Sequence, residues 1–147
     1  MTSQVQSHLF TIFKTGNLIQ TLNKQSEQRA GLSLVQYCVL RVLVDMPAAS
    51  AGDLADAVGV DPSSLTQTLR RLKSKRLICI TQDPKDSRSK LISITRSGNN
   101  AVILAKKKFE IFEGQLTFVE NEINKVFNLL EKQIDQNSFT ERNGIKG

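Results

Sequence analysis

Two clusters of cations stand at spacings that could do chemistry on a polyanion. Arg70, Arg71, Lys73, Lys75 and Arg76 fall within the seven residues RRLKSKR, and Lys85, Arg88 and Lys90 fall within DPKDSRSK. An arginine fork pairs bidentately with guanine or phosphate, and a lysine ammonium neutralises phosphate as a point charge. Just ahead of the first cluster lie Ser63, Ser64, Thr66 and Gln67, short hydrogen-bonding side chains suited to close approach. The net charge of +6 conceals how local this is: residues 62–108 hold twelve basic side chains against two acidic ones, a balance of +10. Residues 1–61 balance at −1 and residues 109–147 at −3. A positive field confined to one third of the chain suits one anionic partner docking at one place.

Catalysis finds no such concentration. The one histidine, His8, has no cysteine or carboxylate beside it, which argues against a metal site. No paired carboxylates, nucleophile–histidine pair or phosphate-cradling loop appears, so no catalytic residue, metal or cofactor is assigned. Cys38 and Cys79 are isolated, make no disulfide framework, and read as small buried hydrophobes. There is no basic start with an apolar run behind it and no unbroken apolar segment near the ~20 residues of a membrane span. The expected setting is soluble and cytoplasmic.

The elements that must hold these cations are legible from periodicity and caps. Val5, Leu9, Ile12, Phe13, Leu18, Ile19 and Leu22 recur at helical steps, predicting a helix from Val5 to about Arg29 that ends at Gly31. Ser33 caps a second helix running to Asp45, with Val35, Val39, Leu40, Leu43 and Val44 inward. Met46-Pro47 stops it. Ser50 and Asp53 form a capping box for a third helix, whose Leu54, Ala55 and Val58 point inward and whose Gly59 permits a left-handed turn. Asp61-Pro62 starts a fourth helix with Leu65, Leu69 and Leu72 as its buried stripe. Ser63, Thr66, Gln67, Arg70 and Ser74 are left on its outer face.

The runs 77–81 and 91–95 read as two strands, joined by QDPKDSRSK as a polar hairpin loop. A fifth helix carries Val102, Leu104, Ala105, Phe109 and Phe112. A sixth carries Val119, Ile123, Val126, Phe127, Leu130 and Ile134, with a frayed polar tail from Asp135 onward. The fold class is thus mainly α with a small β-hairpin wing: a winged helix-turn-helix with N- and C-terminal helices. The segments are 1–31, 32–98 and 99–147.

A helix-turn-helix places its second helix in the major groove of duplex DNA, N-terminal residues first. In that frame Ser63, Thr66, Gln67 and Arg70 face bases. Ser50, Ser64, Arg71, Lys73, Lys75 and Arg76 face phosphates, partly through helix N-termini. Lys85, Arg88 and Lys90 form the wing contact, where an extended arginine suits the narrow minor groove, and Asp86 orients a basic neighbour. The alternative reading of the same fold and charge is an interaction module for an acidic protein partner.

Residues 32–98 resemble the winged-helix core of MarR-type bacterial transcription regulators. The resemblance rests on LSLVQYCVLRVL, on SAGDLADAVGVDPSSLTQTLRRL and on the wing DPKDSRSKLISITRSG, with Asp83, Asp86, Arg88, Ile94, Thr95 and Gly98 in the pattern D-x-x-D-x-R…I-T-x-x-G. It implies a homodimer with interlocked first, fifth and sixth helices. That dimer would bind a pseudo-palindromic operator, usually as a repressor released by a small ligand or stress signal whose identity the residues do not give. Two positions depart from the pattern: family members commonly carry Gly where Arg76 stands and Arg where Ile80 stands.

The terminal helices give the dimer a second argument. Their apolar stripes, among them Leu9, Ile12, Phe13, Val119, Ile123, Val126, Phe127 and Leu130, exceed what a core of this size can absorb. A twofold mate would cover them.

Overall fold

A computed structural model describes residues 7–146, with side chains for residues 7–135. The elements run in the order α1 (His8–Ala30), α2 (Leu34–Asp45), α3 (Ala51–Val58), α4 (Pro62–Ser74), β1 (Ile78–Asp83), β2 (Asp86–Ile94), α5 (Arg96–Thr117) and α6 (Glu120–Lys146). By compactness the chain forms two units, residues 1–108 and 109–147.

Caps set most of the boundaries. Ser7 receives the Phe10 amide and starts α1; Val5, predicted inside that helix, lies outside the described residues. Gly31 closes α1 at φ 81° and Gly59 closes α3 at φ 79°, both in the left-handed region that a Cβ disfavours. The complete reciprocal capping box belongs to Ser33 and Gln36 on α2. At α3, Ser50 accepts from the Asp53 amide at 3.1 Å. Met46, held extended ahead of Pro47, ends α2.

The core of residues 1–108 is aliphatic, as the lack of Trp requires. Leu40 and Leu43 of α2, Leu54 of α3, and Leu65 and Leu72 of α4 are essentially inaccessible, with Ile78 and Ile92 of the hairpin and Val102 and Ala105 of α5 beside them in the buried set. The leucine stripe of α4 therefore faces inward as its spacing predicted. Val44 does not: its side chain is exposed, and Gln36 takes a buried place one turn into α2 instead. Val44 lies one residue from the end of α2, whereas Gln36 accepts from the Ser33 amide.

The hairpin differs most from expectation. Strand pairing continues from Ile78–Ile94 to Gln82–Lys90 and then shifts to Asp83–Asp86. What reads as a nine-residue loop is a tight turn at Pro84-Lys85, and Ser87, Arg88 and Ser89 bulge from the ladder. Proline after aspartate favours the turn, and polar side chains do not prevent pairing when both faces meet solvent. Ala49 clamps the base of the hairpin, exchanging amide–carbonyl bonds with Ile92 at 3.0 and 2.8 Å.

Two further expectations are corrected. Cys38 and Cys79 are exposed rather than buried. Cys38 falls on the outer side of α2 and Cys79 on the outward alternation of β1, beside buried Ile78. The segment after Asp135 continues α6 to Lys146, because no proline or helix-stopping turn interrupts it. Among the described residues no helix is long and apolar enough to cross a membrane, and no three His, Cys, Asp or Glu side chains gather as metal ligands.

Candidate nucleic-acid interface

The helix α4 is anchored inward by Leu65, Leu69 and Leu72, which leaves Ser63, Thr66, Gln67 and Arg70 exposed together on its outer side. Its start is organised by Asp61. That carboxylate accepts from the Ser64 amide at 2.9 Å, from the Ser64 hydroxyl at 2.8 Å and from the Ser63 hydroxyl. The hydroxyl of Ser63, then the amide and hydroxyl of Ser64, pull the Asp61 carboxyl down to about 2. Thr66 spends its hydroxyl proton on the Pro62 carbonyl at 2.9 Å. Ser63, Ser64 and Thr66 therefore meet a partner with oxygen lone pairs outward. Gln67 and Arg70 keep donors for a base edge.

The expected phosphate contacts divide. Arg71, Lys73 and Arg76 are exposed, and among the described residues none of them forms an ion pair. Ser50 is occupied as the cap of α3. Arg76 sits at φ 61°, the one non-glycine in the left-handed region among the described residues. Lys75 stands apart. Its Nζ lies 2.7 Å from Glu27 Oε1 of α1 and donates to Gln36 Oε1 of α2 at 3.0 Å. The hydrogen bond from Lys75 to Glu27 is the main reason the Glu27 carboxyl is held below its ordinary value, against the opposing effect of its partial burial. Glu27 and Gln36 escaped the sequence reading. Their partner is 48 and 39 residues away, and no local pattern signals it.

At the wing, Lys85 occupies the turn itself, its amide donating to Asp83 Oδ1 at 2.9 Å. Arg88 lies on the bulge, beyond the turn. Asp86 holds that bulge through the Arg88 amide at 3.0 Å and the Ser89 hydroxyl at 3.1 Å, and Gln82 Nε2 donates across it to the Ser87 carbonyl. Asp86 thus meets Arg88 at its backbone, and the Arg88 side chain is exposed. Lys90 follows, exposed, opposite Gln82.

Alongside α4, against α1 and α2, lies a polar groove of about 460 Å³, lined among others by Asn23, Lys24 and Glu27 of α1, Gln36 of α2, and Gln67 and Arg71 of α4. On α1, Leu9 and Phe13 are largely exposed and Ile12 is half-buried. On α6, Val119 at its start and Ile123, Val126, Phe127 and Leu130 along it are all exposed.

Comparison with known proteins is consistent with this arrangement. A model of the MarR family matches residues 30–89. The chain is 30% identical over 114 residues to YxaD, an uncharacterised HTH-type transcriptional regulator of Bacillus subtilis, covering 76% of this chain and 80% of that one. It is 26% identical over 132 residues to the transcriptional activatory protein BadR of Rhodopseudomonas palustris, covering 86% and 75%. Among solved structures, a MepR-like protein complexed with pseudoligands matches with a TM-score of 0.70 at 28% identity, over 86% of this chain and 94% of that one. The Staphylococcus aureus MepR–DNA complex has the same fold, with a TM-score of 0.72 at 21% identity over 89% and 98%.

Proposed function

This chain belongs to the MarR family of DNA-binding transcription regulators, and we propose that it is a cytoplasmic repressor that binds a pseudo-palindromic operator as a homodimer. Regulators of this family are not enzymes, in keeping with a chain whose chemistry is concentrated in cations. The observation that carries the proposal is the exposed outer face of α4, with Gln67 and Arg70 offering donors beyond the leucine stripe.

The reading assigns bases to Ser63, Thr66, Gln67 and Arg70. It assigns phosphates to Ser50, Arg71, Lys73 and Arg76, whereas Ser64, whose amide and hydroxyl both donate to Asp61, keeps no donor for a phosphate in this arrangement. Lys85, Arg88 and Lys90 reach along the adjacent groove, on a wing shaped by Asp86. Residues 32–98 serve as the reader, and residues 1–31 and 99–147 supply the contact between two copies. Occupying a promoter blocks transcription, and a small ligand that disfavours the bound geometry releases it.

Selection of bound duplexes from a random pool tests this directly. The retained DNA should carry two related half-sites in inverted orientation. Affinity for them should fall steeply with salt, with a log–log slope near −0.9 per phosphate neutralised. Retention of random sequence with a flat salt response would sink the assignment.

A further inference from the structure

We infer that Lys75 is a positioning residue rather than a phosphate contact: with Glu27 and Gln36 it ties the exit of the reading helix α4 to α1 and thereby sets where that helix stands on DNA. The inference rests on α4 being the reading helix.

Lys75 caps the C-terminus of α4, in the middle of a run of cations that face solvent. It alone among them is engaged. Its ammonium meets Glu27 Oε1 at 2.7 Å and Gln36 Oε1 at 3.0 Å, and Gln36 Nε2 closes the triangle by donating to Glu27 Oε1 at 3.4 Å. Lys75 and Glu27 are each about two-thirds covered, with side-chain exposures of 35%, and Gln36 is buried at 1%. Gln36 Oε1 also receives the Ser33 amide, so the triangle is continuous with the cap of α2. Moving Lys75 out to a phosphate would strip a partner from a buried amide oxygen and take from Glu27 its hydrogen-bonded cation, leaving it only the weaker attraction of Arg71. A partly buried carboxylate and a buried amide oxygen both lose stabilisation when their charge-assisted donor leaves, which opposes the transfer of Lys75 to a phosphate.

The geometry gives the tie its consequence. Leucines 65, 69 and 72 fix which way α4 faces. Lys75 pins the far end to α1, the helix whose Leu9 and Phe13 are exposed for the second copy. Through it, the separation of the two reading helices is transmitted from the dimer contact, and half-site spacing should depend on it. Shifting one half-site by a base pair moves it about 3.4 Å and rotates it by roughly a tenth of a turn.

The test compares the wild-type chain with Lys75→Gln, Glu27→Gln and the exchanged pair Glu27→Lys/Lys75→Glu. Each is titrated with the selected operator and with operators whose half-site spacing differs by one base pair, over a salt series. Both single variants should lose about tenfold in operator affinity, the scale of one charge-assisted hydrogen bond, with the salt slope unchanged. Both should discriminate less between spacings, and the exchanged pair should regain discrimination. Circular dichroism melting confirms that each is folded at the assay temperature. A slope reduced by about 0.9 in Lys75→Gln, with Glu27→Gln retaining wild-type spacing preference, would make Lys75 a phosphate contact and overturn the inference alone. Loss of affinity with unaltered spacing preference in both variants, or no recovery in the exchanged pair, would also overturn it. A wild-type chain without salt-dependent duplex binding would overturn the DNA reading and this inference with it.

Discussion

The hydroxyl of Thr95 donates to the carbonyl of Arg76 at 2.8 Å, across the base of the wing. Thr95 thereby secures the one described non-glycine residue held at positive φ, and the Leu77 carbonyl accepts the Thr95 amide at 3.0 Å beside it. An L residue in this left-handed region costs roughly 1–2 kcal/mol that glycine does not incur, partly offset by the greater freedom of glycine in the unfolded chain. Arg76→Gly should therefore raise stability by up to about 1 kcal/mol, or about 2–4 °C in melting temperature for a chain of this size. Thermal denaturation followed by circular dichroism checks it, and a lower melting temperature would show that the arginine side chain stabilises more than its backbone costs. The same variant should flatten the salt slope for operator binding by about one phosphate.

Gly98 sits on the other side of Thr95, whose hydroxyl accepts the Gly98 amide at 3.0 Å as α5 begins. A Cβ there would stand 2.2 Å from the Leu77 carbonyl oxygen and 2.6 Å from Ile94 Cγ1. The first obstacle is backbone, so a rotamer change cannot relieve it. Gly98→Ala should destabilise by about 1–3 kcal/mol, the usual cost of overpacking, and should loosen the wing before the rest. Hydrogen exchange at the Thr95 and Ile92 amides would register this; unaltered protection and melting would refute the close-packing account.

These two positions show what the sequence made legible and what it did not. Caps and breakers act over three or four residues, so Gly31, Ser33, Gly59 and Asp61 could be placed from local chemistry, as could the stripe at Leu65, Leu69 and Leu72. The pattern I-T-x-x-G was visible as a resemblance, but its cause, a hydroxyl bridging Arg76 and Gly98, spans 19 residues on one side. The pair Glu27–Lys75 is invisible for the same reason, and nothing local sets Lys75 apart from Arg71, Lys73 and Arg76. Hairpin extent is hidden differently: the polarity of QDPKDSRSK reads as loop, although an edge ladder in water tolerates polar residues on both faces. Cys38 and Cys79 were placed inside by their apolar neighbours, but one turn of helix or one step of strand separates the buried face from the exposed one.

Acid should act on the start of α4. The Asp61 carboxyl has its pKa lowered from 3.8 to about 2, so the folded state prefers it ionised. A depressed carboxylate contributes stability that is present above the unfolded value and lost as pH falls through the folded one. The window is thus pH about 4 down to about 2. Amide resonances of Ser63 and Ser64 should shift over that range, and Asp61→Asn, which keeps a capping oxygen, should remove the transition. A midpoint near the ordinary aspartate value would mean that the serine hydroxyls do not hold the carboxylate.

Base reading and phosphate binding separate at Arg70 and Lys73. Both are exposed on α4, and among the described residues neither is in an ion pair. Arg70 lies on the outer face with Gln67, and Lys73 at the exit. Arg70→Ala should relax preference at one operator position by about 1–3 kcal/mol, whereas Lys73→Ala should weaken every duplex alike and reduce the salt slope by about 1. Competition binding against single-base operator variants measures both. Uniform losses in the two variants would move the reading face elsewhere on α4.

The exposed apolar residues supply the prediction with most at stake for assembly. Phe13 is 69% exposed on α1 and Phe127 57% on α6, so neither is holding its own chain's core together. Leaving such rings in water is unfavourable, roughly 25 cal/mol for each Å² that a partner would otherwise cover. Placing a charge at either costs a monomer almost nothing, but within an interface it would be buried without a partner. Phe13→Glu and Phe127→Glu should keep helical content and yet sediment as monomers at concentrations where the wild-type chain is a dimer. Operator affinity should fall by about 10²–10⁴, because the second half-site would no longer benefit from the high effective concentration that linkage provides. Affinity for a single half-site should be unchanged, which separates lost dimerisation from a damaged reader. If both variants sediment as dimers, these faces are covered by something other than a second copy, and the twofold reading of the operator would have to be abandoned with them.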